Sequence, residues 1–310
     1  MTRRAPFVAM SFAFSVILVP LAGATNITLD YVRPSDSFFV GMAVDPATGL
    51  YYERPNYGPG FGSGPVNTFA STAAFKAGTP SFSVPLQNGG FFGTYFTVKG
   101  NEIFGREGLG KGVFGFPVDT SAARWNATTG AIDAALAGFA GMGGVDGPHT
   151  FNWGGFSGVN FMQDQTGLYV FGKNLGSGWQ LNRVDPNLNI LGTDQFNAGS
   201  LGFGFMIDGN LFAGDNFNGN SISQSLDFTT GTQSAVNFTL VGGPPSPYWN
   251  NVFYDTTTNS LFLNSGSGLY MVPDASQAFG VSSVPEPESL TLLGTGLVGL
   301  VGLLRRKARS

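Results

Sequence analysis

One motif recurs along the body of this chain and limits what it can fold into. A run of alternating apolar and aromatic residues enters a turn built on Asp with Gly or Asn. A second alternating run carrying Leu-Tyr or Leu-Phe follows. The copies are residues 38–52 (FFVGMAVDPATGLYY), 160–172 (NFMQDQTGLYVFG), 203–215 (FGFMIDGNLFAGD) and 251–264 (NVFYDTTTNSLFLN), with a fainter one at 94–105 (TYFTVKGNEIFG). Period-two alternation on both sides of a short polar turn is the pattern of a β-hairpin. Aligned on Asp45, Lys99, Asp164, Asp208 and Asp255, the copies lie 54, 65, 44 and 47 residues apart. Between them stand further strand pairs with their own turns, at 179–192 and 223–238, and a stretched version at 114–133. Four short strands in roughly 45 residues is the content of a β-propeller blade. The expected fold class is therefore all-β, a propeller-like body of about five to six blades. A β-sandwich or β-helix built from the same hairpins is the competing architecture. Five units can be counted, and the last is short of strands, so residues 26–32 (NITLDYV) are expected to supply a closing strand.

Composition agrees with many strands and many turns. The 310 residues include 47 Gly and 30 Phe, and only 11% are charged. There is no Cys and a single His, His149, which excludes a disulfide framework, a thiol nucleophile and a Cys-type zinc site. Apolar packing alone must hold the core, and a body of this length buries enough surface for that. The Ala-rich stretch 130–144 reads as a short helix or a loop insertion, with its glycines working against a long helix.

Both ends read as targeting segments. Arg3 and Arg4 precede an apolar run at 7–19, and Ala22-Gly23-Ala24 has the small-x-small form of a signal peptidase site. Cleavage is expected after Ala24, by the general secretory route, because Pro6 interrupts a twin-arginine pattern. At the other end, Leu290 to Leu304 is apolar or small throughout and is followed by Arg305, Arg306, Lys307 and Arg309. Fifteen helical residues reach only about 22 Å, short of a hydrocarbon core of ~30 Å. Such a segment suits a temporary membrane stop with its basic tail on the cytoplasmic side. Val284 leads into Pro285-Glu286-Pro287, which holds the chain extended ahead of the apolar stretch.

Pro-Glu-Pro, a short hydrophobic helix and a terminal Arg cluster, in that order, resemble the PEP-CTERM sorting signal of Gram-negative bacteria. The resemblance implies recognition and trimming by an exosortase-type membrane enzyme. It also implies delivery to the cell surface or extracellular matrix, often in cells that make exopolysaccharide. It transfers an address and no activity. The expected organisation is a signal peptide at 1–24, a propeller-like domain at 25–283 and the sorting signal at 284–310. The repeats resemble the loose repeats of bacterial propellers, with Asp45-Pro46-Ala47-Thr48-Gly49-Leu50-Tyr51 the best instance.

Trimming both ends leaves residues 25–283 with 17 acidic against 9 basic residues, net −8. An acidic body argues against nucleic acid or anionic lipid as partners. No catalytic residue, cofactor or metal ligand set is expected. Gly110-Lys111-Gly112-Val113-Phe114-Gly115 lacks the following helix that a dinucleotide loop needs. His149 lies near Asp146, with Thr150 and Ser157 as nearby hydroxyls, but sits in a Gly/Pro loop. Asp215, Asn218 and Asn220 offer oxygens for calcium without the spacing of a calcium loop. Trp153, Trp179, Tyr248 and Trp249, set among Pro, Gly and Asn, are candidates for stacking on sugar rings, with core packing as the competing reading. The body is thus expected to be a non-catalytic binding or structural module, with exopolysaccharide as a candidate ligand. The alternative is a secreted polysaccharide lyase or hydrolase, which would gather several of Glu107, Asp146, His149, Arg183 and Asp215 around one central pocket.

Overall fold

The computed structural model describes residues 24–35, 41–55, 65–86, 91–107, 122–136, 159–174, 178–197, 201, 203–214, 219–245, 249 and 251–281. These form five sheets, antiparallel except for one added strand, arranged as the blades of a propeller. Blade 1 is β3 (Gly41–Asp45), β4 (Leu50–Arg54), β5 (Val66–Phe69) and β6 (Phe82–Val84). Blade 2 is β7 (Phe91–Lys99), β8 (Glu102–Glu107), β9 (Ala122–Asn126) and β10 (Ile132–Leu136). Blade 3 is β11 (Val159–Asp164), β12 (Gly167–Asn174), β13 (Gly178–Val184) and β14 (Ile190–Phe196). Blade 4 is β15 (Phe203–Ile207), β16 (Asn210–Gly214), β17 (Ser221–Asp227) and β18 (Thr232–Val241), and blade 5 is β19 (Asn251–Asp255), β20 (Ser260–Asn264) and β21 (Gly268–Val272). The first strands, β3, β7, β11, β15 and β19, touch in sequence around a closed ring. Five blades is the lower of the counts expected from the sequence.

Closure uses the N-terminal segment twice. The expected single strand at 26–32 is two: β1 (Thr25–Thr28) adds in parallel to β18 as a fifth strand of blade 4, and β2 (Asp30–Pro34) pairs antiparallel with β21 as the fourth strand of blade 5. Leu29 stands between them, 4% exposed, its N–H donating to Val241 O at 2.8 Å. One short stretch thereby fastens the last two blades together. β1 starts at the residue after the cleavage point expected from Ala22 and Ala24. Residue 22 lies outside the described residues, and Ala24 is exposed.

The core is divided among the seams between blades. Met42, Val44, Tyr51 and Phe75 pack on Phe262 between blades 5 and 1. Tyr52 and Val66 meet Phe96, Val98 and Trp125 between blades 1 and 2, and Phe104 meets Phe161, Leu168 and Val170 between blades 2 and 3. Tyr169, Phe171 and Leu181 meet Met206 and Leu211 between blades 3 and 4, and Phe205 and Phe212 meet Val252, Leu261 and Leu263 between blades 4 and 5. This explains the nearly continuous apolar runs of the inner strands: a sheet covered on both faces needs apolar side chains at odd and even positions alike.

The turns recur because one capping arrangement recurs. Asp45 Oδ1 accepts from Ala47 N at 3.1 Å, its Oδ2 from Thr48 Oγ1 at 2.9 Å, and its carbonyl from Gly49 N at 2.8 Å. Asp255 repeats this with Thr257 N and Thr258 Oγ1, and Asp227 with Thr229 N and Thr230 Oγ1. Asn126 does so with the N–H groups of Thr128 and Thr129. The residue that closes each of these turns has positive φ: Gly49, Gly130, Gly231 and, in blade 5, Asn259. A carboxylate or amide folded back on backbone two and three residues ahead stabilises the reversal locally.

Two expectations are corrected here. Aligning the hairpins on Asp208 shifts blade 4 by one residue. The last ladder residue of β15 is Ile207, paired with Asn210, and Asp208 lies within the two-residue turn, with φ of 51° there and 78° at Gly209. Ile207 is thus the equivalent of Asp45, Asp164 and Asp255, and the shift reverses which blade each inner side chain faces. The Ala-rich stretch is neither helix nor pure insertion at its start, since residues 132–136 form β10 on the outer edge of blade 2.

Candidate functional site

Every inner strand ends at the same face of the ring, where its hairpin turn lies; this is the turn face. Three of the ladder-end residues are Asp, and each reaches beyond its own turn to the next blade. Asp45 accepts from Gly100 N at 3.1 Å and Asn101 N at 3.2 Å in blade 2. Asp164 accepts from Gly209 N in blade 4 at 2.6 Å, and Asp255 accepts from the Tyr51 hydroxyl in blade 1. Gln163 extends the tie across the axis, its Nε2 donating to Val44 O at 2.7 Å and to Val98 O at 2.5 Å. Asp45, Asp164, Asp255 and the Tyr51 hydroxyl thus tie neighbouring blades together.

Burial pushes the Tyr52 hydroxyl up to about 12, with the Asp45 charge adding to it. Burial and the Asp255 carboxylate raise Tyr51 further. Asp208 is pushed up to about 6, first by burial and then by the nearby Asp164 charge, and its Oδ1 is buried without a hydrogen-bond partner. Away from the hub, Glu102 in blade 2 is pushed up to about 7 by burial and by Asp133, against the pull of Arg124 at 3.8 Å.

Behind the turns the axis is nearly filled. Phe96, Phe161, Met162, Phe205, Met206 and Phe253 from four blades close in on a cavity of about 20 Å³. That is room for about one water. Of the residues that an enzyme would gather there, Arg183 is the one whose side chain is described, and it does not line the cavity. Arg183 is exposed on β13, its Nη2 donating to Thr166 O at 2.8 Å. The side chain of Glu107 and the whole of Asp146, His149, Thr150, Ser157, Asp215 and Asn218 lie outside the described residues, as does the Gly110–Gly115 stretch. No group of His, Asp and Glu able to hold a metal occurs among the described residues.

The aromatic candidates divide. Trp153 and Tyr248 lie outside the described residues. Trp179 is 6% exposed and stacked on Phe171 with ring centroids 5.2 Å apart, and Trp249 is fully buried, edge-on to Tyr270 at 5.9 Å. Both rings are core, so neither offers a face to a sugar. Trp179 stands at the start of β13 and Trp249 between β18 and β19, and both are buried there. Sequence reading missed the exposed apolar side chains altogether: Tyr31, Phe82, Ile190 and Leu191, all on outermost strands. Their alternating neighbours gave no sign of which strands would be outermost.

The chain leaves the body through α2 (Ala275–Ala278), Phe279, Gly280 and Val281 at the turn face of blade 5. Val284, Pro285, Glu286 and Pro287, the stretch from Leu290 to Leu304 and the basic cluster follow, outside the described residues. Among the described residues, no helix is long and apolar enough to cross a membrane.

A closed five-bladed propeller, with residues 282–310 following its last described helix in the sequence, defines the class of molecule. Residues 283–307 match the PEP-CTERM protein-sorting motif, which implies export and membrane-associated sorting by exosortase-type machinery. Comparison with curated proteins finds no match for the chain. Among solved structures it is similar to the glutaminyl cyclase of Myxococcus xanthus, at 11% identity and a TM-score of 0.48, covering 81% of this chain and 97% of that one. It is also similar to the computationally designed protein Ika8, at 10% identity and a TM-score of 0.36, covering 73% and 55%. Neither likeness bears on activity.

Proposed function

We propose that this is a surface or extracellular-matrix protein with a non-catalytic propeller body that binds or organises exopolysaccharide, and that its tail is removed by an exosortase-type enzyme. The observation that carries the reading is the sorting motif at residues 283–307. The committed hub supports it. Asp45, Asp164 and Asp255 spend their oxygens on backbone and hydroxyl partners, and the axis has room for little more than water. The acidic, Cys-free body suits a solvated exported protein.

The test has two arms. Intact mass and fractionation of the native protein should give a mature form that starts near Thr25, lacks the segment after Pro287 and resides outside the inner membrane. A chain without residues 283–310 should lose that location; equal delivery and mass would overturn the sorting reading. The trimmed protein is then incubated with the producing cell's exopolysaccharide. Retention without new reducing ends or unsaturated products is expected, whereas depolymerisation would establish the lyase or hydrolase alternative.

A further inference from the structure

The body ends in a clamped stem. Ala275 N donates to Asn259 O at 2.8 Å, and the N–H and hydroxyl of Ser276 donate to Asn259 Oδ1 at 3.0 and 2.5 Å. Asn259 lies in the turn between β19 and β20, so the stem is fixed to the turn face. Phe279 is 3% exposed, its ring 5.1 Å from those of Phe205 and Phe212 and 5.3 Å from that of Phe238. Val281 N donates to Ser276 O at 2.8 Å. Thr25 is in register with the same Phe238. The first strand of the body and its last anchored ring therefore meet at one residue of β18, on the seam between blades 4 and 5.

Only a short tether separates this stem from the apolar segment. From Val281 to Leu290 the chain can span at most about 30 Å, while a compact body of this length is about 45 Å across. A tether shorter than the body keeps the exit face nearest the membrane. The chemistry around the exit suits that position. Thr257, Thr258 and Gln277 are exposed and uncharged, Asp255 is buried and bonded, and Asp274 is the one exposed charge in residues 255–259 and 273–281. The rest of an acidic body would be repelled by anionic headgroups, whereas hydroxyls and amides can bond to them.

We propose that, while its tail is in the membrane, the propeller stands on the lipid headgroup layer with the turn face of blade 5, Thr257 to Asn259 and α2, toward it and its other face outward. This rests on the sorting reading above. The absence of Cys makes the test direct. Thr257→Cys and Ser267→Cys place one label each on opposite faces of blade 5, at exposed positions. The labelled full chain is reconstituted in phosphatidylethanolamine–phosphatidylglycerol vesicles bearing a headgroup nitroxide quencher. Quenching at 257 should exceed that at 267 several-fold. Equal or reversed quenching overturns the orientation. A flexible Gly-Ser insertion of about twenty residues after Val281, adding ~25 Å of average reach, should erase the difference; a difference that persists would overturn the tether as its cause. A chain that fails to float with the vesicles overturns the membrane stop itself, a separate failure belonging to the sorting reading.

Discussion

At the scale of single residues, the ladder-end aspartates tie neighbouring blades to one another. Asp255 accepts from two N–H groups and a hydroxyl of its own turn and from Tyr51 of the next blade. Asp255→Ala strands those donors, and urea unfolding should show a loss of about 2–3 kcal/mol. Tyr51→Phe removes one donor from Asp255 and the 2.7 Å bond to the half-buried Thr72 hydroxyl, so it should cost about 1 kcal/mol. Asp208 behaves oppositely. Its folded pKa of about 6 lies above the usual carboxylate value, so its favourable contribution is complete below about pH 4 and is lost as pH rises through 6. Asp208→Asn keeps a residue suited to positive φ before Gly209 and abolishes the charge. It should raise the melting temperature above pH 6 and leave it nearly unchanged at pH 4; equal gains at both pH values would show that ionisation of the buried Asp208 carboxyl, beside Asp164, is not the cause.

At the scale of elements, two contacts are unforgiving. Gly130 closes the β9–β10 turn with φ of 71°, and a Cβ there would lie 1.9 Å from Pro85 O of blade 1. Gly130→Ala should therefore prevent the seam between blades 1 and 2 from closing, seen as loss of soluble folded protein on expression. β1 and β2 supply the outer strands of blades 4 and 5, with Ile27 3% exposed in their shared core. Ile27→Asp buries an unpaired carboxylate and should open both blades, read as loss of hydrogen-exchange protection in β18 and β21 before the other blades.

For the whole molecule, the described core and the contacts that close it lie within residues 25–281. Removing 282–310 should leave the thermal transition of the body in place, because Phe279 and Val281 stay. Phe279→Ala should lower stability by about 3–5 kcal/mol, since its ring fills the seam where the chain closes on itself. Much of this architecture was legible beforehand. The hairpins around Asp45, Lys99, Asp164 and Asp255 named the inner strands, and the thin last unit pointed to a closing strand from the N-terminus. The shift at Asp208 was not legible, because Asp can stand at the ladder end before a two-residue turn, as Asp164 does, or as the first residue of such a turn, as Asp208 does, and only pairing distinguishes them. Nor were the buried places of Trp179 and Trp249, because a Trp beside Pro and Gly looks the same whether its ring points inward or outward.

The sequence by itself determined the period, the turns and the sorting segment, because each is a local matter of backbone conformation, alternation or short-range recognition. Only the tertiary structure decided that the ring closes at five blades, that ten N-terminal residues serve two of them, and that the hub aspartates are structural. Those outcomes depend on which distant surfaces meet, and the contacts that fix them join residues as far apart as Tyr51 and Asp255.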